Sequence, residues 1–285
     1  MATEAHSAYY LPNAPLQEAV VSLKWALPSV GGARYDRELD LALGRFYEAI
    51  REDYPRFSRL QAGPRTFSLV LTNYQPVFRF ASAGVDVEGD LYPLLQLGSG
   101  ILTANEHGRR YDFETFSSAF GKAVDHLLGA YPPKYLQLVN LEFLLVNRLE
   151  LAAFETFLRA KGHRGGGKLK ASAFFADYLG LERANTYEDL DIDLLSQEVL
   201  RTYALPRDVG EIDIRYRDDS ETGGEQVAYW EINARTAAQG LPLTRGTAIS
   251  RLESLHTHTR AIFTAMVGES PLLDYFKLPP PTDAQ

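Results

Sequence analysis

Hydrophobic and polar positions follow two rhythms along this chain, and the two rhythms succeed each other in the same order twice. Residues 18–27, rich in β-branched and aromatic side chains, read as a strand ended by Pro28 and the Gly31-Gly32 pair. Tyr35, Leu39, Leu43, Phe46 and Ile50 then recur at steps of three or four, which predicts a helix over 34–53 stopped by Pro55. Alternation returns at 66–72 and 76–81 around a turn at 73–76. The acidic stretch 84–90 reads as a loop. Two strands, 92–97 and 101–104, flank Gly98-Ser99-Gly100, whose glycines suit a sharp bend or bulge. Phe113, Phe116, Phe120, Val124 and Leu127 predict a helix capped by Asp112 and ended by Tyr131-Pro132-Pro133.

The second pass begins at Tyr135. Residues 135–149 form a long apolar segment that reads as a central strand, with a helix as the competing reading. A short helix over 151–159 follows, then the glycine-rich loop 162–170, an ambiguous stretch 174–188 and a strand over 194–203. Segments 210–217 and 226–233 form a hairpin about the acidic tip 218–224, and Ala248, Leu252, Leu255, Ile262 and Met266 mark a last helix over 245–266. The expected fold is α+β: antiparallel sheets with long helices packed on one face, and a suspected structural duplication of a strand-helix-strands-helix unit. The expected organisation is a first lobe over 12–131, a second over 135–277 and a disordered tail over 278–285. Whether the strands make one sheet or two stays open at this level.

Composition narrows the classes. The chain has 285 residues, 45% of them hydrophobic, enough for a sizeable core. Its net charge of -8 supplies no global field for nucleic acid or anionic membranes. With no cysteine there is no disulfide, thiol catalysis or Cys-ligated metal. The first residues lack a secretory pattern, and no apolar run approaches the ~20 residues that span a bilayer. A soluble, cytoplasmic protein without a membrane partner is expected.

One group of residues carries a resemblance. Asn13-Ala14-Pro15-Leu16-Gln17-Glu18-Ala19 precedes the first strand, YPLLQLGSGILTANE spans 92–106, Tyr111 and Phe116 open a helix, and Leu252, Leu255, His256 and Phe263 recur in the last one. Together they resemble a sporadically distributed, functionally uncharacterised bacterial protein family over most of the chain, from about Pro12 to Phe276. The resemblance implies a fold and a bacterial origin. It carries over no catalytic residue. Families distributed in this way often travel in mobile or defence-related gene neighbourhoods, so it also implies an accessory subunit of a bacterial anti-phage defence system.

The candidate chemistry is sparse. In Tyr229-Trp230-Glu231-Ile232-Asn233-Ala234-Arg235, Glu231 and Asn233 share one face of a strand, because side chains alternate. With Asp213 on the partner strand and Arg235 nearby, hard oxygen ligands would suit Mg²⁺. The pattern resembles the metal-binding end of ATP-grasp ligases, which implies Mg²⁺ and ATP as cofactors, but that family's nucleotide-binding lysines and phosphate-covering loop are missing. The plainer reading is a polar strand edge facing solvent. Lys161, His163, Arg164, Lys168 and Lys170 surround three glycines and could hold phosphate or nucleic acid, although no P-loop pattern or interleaved aromatics accompany them. A solvated loop is the plainer reading. His256 and His258, two apart on a helix, point away from each other and cannot share a metal, and a half-buried histidine bonded to a backbone carbonyl is expected. Asn105, Glu106 and His107 read as a polar turn beside Arg109 and Arg110, without a nucleophile near them. Tyr9, Tyr10, Tyr74 and Tyr92 fall at apparent surface turns, where aromatics favour interfaces.

No catalytic residue emerges. The sequence favours a non-enzymatic binding or assembly protein, with no cofactor, a protein partner and a homodimer through strand edges. The alternatives are an ATP- and Mg-dependent ligase of ATP-grasp type and a nucleic-acid-binding protein using the 161–170 loop.

Overall fold

The computed structural model describes residues 13–26, 37–60, 74–82, 86–87, 90–132, 136–163, 169–179, 198–206, 209–220, 226–236, 240–268 and 270–278. Strands are β1 (Leu16–Trp25), β2 (Arg56–Arg59), β3 (Pro76–Ala81), β4 (Asp86–Val87), β5 (Asp90–Leu91), β6 (Leu94–Gly98), β7 (Ile101–His107), β8 (Gln137–Glu150), β9 (Glu198–Ala204), β10 (Gly210–Ser220), β11 (Gln226–Thr236) and β12 (Leu241–Pro242). Helices are α1 (Arg37–Ile50), α2 (Phe113–Ala130), α3 (Leu151–Ala160), α4 (Ala171–Tyr178), α5 (Arg245–Val267) and α6 (Pro271–Phe276).

One antiparallel sheet joins both halves, in the order β2-β3-β6-β7-β1-β8-β11-β10-β9, with β12 pairing on β8. β4 and β5 pair only with each other, so part of the expected loop at 84–90 is a minimal hairpin. The β1/β8 pair stands at the middle. Outward on one side come β7, β6 and β3, with β2 as an extra edge strand, and outward on the other come β11, β10 and β9. α2 follows β7 as α5 follows β11. The strand-helix-strands-helix unit therefore occurs twice, and the two copies meet along their first strands.

Alternation sets the faces. Val21 lies opposite Ala104 on one side and Phe143 on the other, and Phe143 lies opposite Ala234. That row points into the core, which runs continuously across both halves. The helices cover this face. Phe46 and Tyr47 of α1 meet Phe80, Phe116 of α2 meets Phe143, and Phe174 and Phe175 of α4 meet Trp230 and Tyr216. Trp25, Trp230 and Phe143 are fully buried, each worth about 2–3 kcal/mol of transfer free energy. α2 starts where Asp112 Oδ1 accepts from Thr115 N at 2.9 Å, and α5 where Thr244 and Thr247 cap each other reciprocally.

Between β6 and β7 the chain turns in two residues, Ser99 and Gly100, rather than through a bulge. Gly100 has φ 76°, a conformation glycine adopts without cost. At Gly98 a Cβ would stand 1.9 Å from the Gln75 carbonyl oxygen, so the β3–β6 crossing requires hydrogen there. The sheet ends in exposed strands: β2, where the half-exposed Phe57 packs on Tyr47 and Phe80, and β9, with Leu200 and Tyr203 exposed. The expected strand at 66–72, the region 180–197 and the tail from 279 lie outside the described residues. No described helix is long and apolar enough to cross a membrane.

Candidate functional site

The face of the sheet that carries no helix gathers the polar residues of β10 and β11, with Leu144 and Val146 of β8 beside them. β11 contributes Tyr229, Glu231, Asn233 and Arg235, and β10 places Asp213 opposite Asn233, Arg215 opposite Glu231 and Glu211 opposite Arg235. The four candidates Asp213, Glu231, Asn233 and Arg235 thus share one surface. β11 is an interior strand between β8 and β10, which corrects the expectation of a strand edge: these residues sit mid-sheet.

The charges on this face engage one another. Arg235 Nε donates to Glu211 Oε1 at 2.6 Å, and its Nη1 lies 2.9 Å from Asp213 Oδ2. Thr202 donates to the other Asp213 oxygen at 2.6 Å. Glu231 accepts from the Tyr229 hydroxyl at 3.0 Å and has Arg215 at 3.6 Å. Next along the sheet, Lys24 donates to Glu142 at 2.6 Å, and Asn140 donates to the same oxygen at 3.1 Å. The hydrogen bond to Glu211, then the carboxylates of Asp213, Glu211 and Glu142, raise the Arg235 pKa above its ordinary value. Two acceptors in this row, Asn140 Oδ1 and Asn233 Oδ1, are shielded from solvent and meet no donor among the described residues. No group of three metal-ligating side chains occurs among those residues. A Mg²⁺ at Asp213 and Glu231 would have to displace the arginines that hold them.

The basic loop is only partly described. Lys161, His163 and Lys170 are exposed, and Lys161 Nζ sits 5.9 Å from the Phe157 ring centre. Arg164 and Lys168 lie outside the described residues. Glu155 accepts from the Leu169 backbone and from Arg159, so a carboxylate is built into the base of this loop. Among the described residues no hydrogen bond or ion pair joins Lys161, His163 or Lys170 to Asp213, Glu231, Asn233 or Arg235.

Three expectations change. Asn105, Glu106 and His107 belong to β7 and are buried, not in a turn. Glu18 explains the first: its Oε1 accepts from Asn105 Nδ2 at 2.8 Å and from the Tyr92 hydroxyl at 3.2 Å. Tyr92 is accordingly buried rather than at the surface, with its ring edge-on to His107. The histidine bonded to a backbone carbonyl is His258, whose Nδ1 lies 2.7 Å from the Ser254 oxygen. His256 instead stacks flat on Phe113 with ring centres 3.6 Å apart. Burial, aided by the Arg260 charge, brings its pKa down to about 4.

A second recess lies on the helix side of the first half. The turn after α1, the exposed flank of α2 and the ends of β3 and β6 border about 520 Å³. Ile50, Leu95 and Ala123 line it with apolar surface, Asp53, Glu114 and Lys122 add charge, and His126 adds an imidazole. Tyr54 stands in this wall. Burial first, then the charges of Asp53 and Glu106, push its hydroxyl up to about 12. Glu106 is held above the usual carboxylate range by burial, partly offset by Arg110 and by the His107 N–H. Of these residues only Ile50 and Glu106 stood out in the sequence, as a helix core position and as part of an expected turn. The available signal was the four-residue spacing of Lys122 and His126, which an ordinary helix surface also shows.

Comparison with protein-family models and with curated proteins returns no match for this chain.

Proposed function

We propose that the protein is a non-enzymatic binding and assembly module, and that the helix-free face of its sheet recognises a protein partner with a polar surface of mixed charge. The observation that carries this reading is the engaged state of Asp213, Glu231 and Arg235. Their charges are fixed on interior strands and matched by neighbours, so they offer a preorganised, ordered polar surface. Acidic and basic side chains alternate across it, which favours a mixed-charge protein surface over a polyanion. A bound protein could also supply donors near the unmatched Asn140 and Asn233 oxygens.

The test uses the full chain immobilised as wild type and as Arg235→Glu. A protein retained by the wild type and released by the variant is purified and titrated against both. A dissociation constant weakened about tenfold or more by the variant supports the reading. Equal binding by both forms removes this face from recognition. Nucleotide turnover that disappears in Glu231→Gln would sink the non-enzymatic reading and favour the ATP- and Mg-dependent alternative.

A further inference from the structure

The recess between α1 and α2 is remote from the sheet face, and its charges are ones the fold does not use. Among the described residues no ion pair involves Asp53, Glu114, Lys122 or His126. On the sheet face the reverse holds, and the carboxylates meet cations of neighbouring strands.

The uncommitted charges are also sorted by sign. Glu114, Ser118, Lys122 and His126 follow at four-residue steps on α2, so they form one row along the recess. At 1.5 Å per residue, Glu114 and Lys122 are ~12 Å apart along the axis, and Glu114 and His126 ~18 Å. Glu114 lies at one end, in the first turn of α2. The other end holds Lys122 and His126. Between the ends, Ser118 supplies a hydroxyl, and Ile50, Leu95 and Ala123 supply apolar contact.

We propose that this recess binds a short dipolar molecule of the free-peptide class, with its ammonium against Glu114 and its carboxylate against Lys122 and the His126 ring. An extended chain advances ~3.3–3.6 Å per residue, so the row of charges spans about three to five residues. The recess, open to solvent on one side, has a volume of about 520 Å³, which suits a ligand of that size.

Calorimetric titration of the full chain with tetra-L-alanine tests the proposal. The probe is used with free termini and, in parallel, N-acetylated and C-amidated. Saturable binding of the free form is expected, with about tenfold or greater weakening when either terminus is blocked. Lys122→Glu and Glu114→Lys, both at exposed positions, should each weaken binding of the free form to a similar degree. Lys161→Glu, outside the recess, should leave it unchanged. Circular dichroism establishes that each variant is folded. The proposal is overturned by no saturable binding of the free tetrapeptide at millimolar concentration, by equal binding of the blocked form, or by folded Lys122→Glu and Glu114→Lys proteins that bind as the wild type does.

Discussion

The two halves of the sheet share one plan and fill it differently. In the second half the chain between β8 and β9 contributes two helices, α3 and α4, and α6 closes over them. Phe154 meets Phe174, Tyr178 and Tyr275 edge-on, and Phe174 and Phe175 reach Trp230. The corresponding connection in the first half contributes α1 alone among the described residues. α1 covers Phe80 but leaves the recess beside α2. The first half also buries Glu106 on the helix side and the Glu18–Asn105–Tyr92 group on the other. Strand order is thus repeated while side-chain volume is not: the second copy sets an aromatic cluster where the first keeps a recess and a buried carboxylate.

The largest effect should come from the aromatic cluster of the second half. Trp230→Ala removes a fully buried indole from the aromatic cluster and should cost about 3–5 kcal/mol in urea unfolding. Trp230→Phe should cost less, because the indole N–H it removes has no partner among the described residues. In the first half, Tyr54→Phe should change stability by under about 1 kcal/mol. Similar losses for Trp230→Ala and Tyr54→Phe would erase the contrast.

The joint between the halves should respond to acid. His256 lies between α2 and α5 against Phe113 and Phe143, with Arg260 as the nearby charge. Its folded pKa is lowered from 6.5 to about 4, so the unfolded chain takes up the proton first. The stability it contributes is complete above pH 6.5 and is lost as pH falls toward 4, by on the order of 3 kcal/mol. Unfolding free energies at pH 4 and pH 7 should differ by about that amount more in the wild type than in His256→Phe.

Smaller effects belong to the polar face and the caps. Arg235→Ala leaves Asp213 and Glu211 without their cation and should cost about 1–2 kcal/mol, less at high salt. Asp112→Ala deletes the α2 cap and should cost about 1 kcal/mol. Thermal melts at two salt concentrations separate the two, since the cap loss is the less salt-dependent.

Much of this was legible in the sequence, for reasons tied to particular residues. The β10–β11 hairpin and the placement of Asp213, Glu231, Asn233 and Arg235 on one face follow from alternation alone. α2 and α5 follow from apolar spacing and from the Asp112 cap. β2 was hidden because Arg-Phe-Ser-Arg is an exposed edge with no alternating apolar set. β7 was cut short because Asn105, Glu106 and His107 resemble turn residues, and only Glu18, distant in sequence, explains the burial of Asn105. The recess was not legible. Its walls come from Ile50, Asp53 and Tyr54, from Ser82, Pro93 and Leu95, and from one flank of α2, and nothing local links them.

The β1–β8 pairing has a consequence for the newly made chain. β1 pairs with β7 once His107 has left the ribosome, but its other edge waits for a strand that ends at Glu150. At roughly 5–20 residues per second that interval lasts several seconds. For that time the first half offers an unpaired strand edge along Val20, Val21, Ser22 and Leu23, the kind of edge on which chains aggregate. Fast translation through residues 108–150, or a chaperone that shields β1, would raise the yield of native protein without changing a single contact in it.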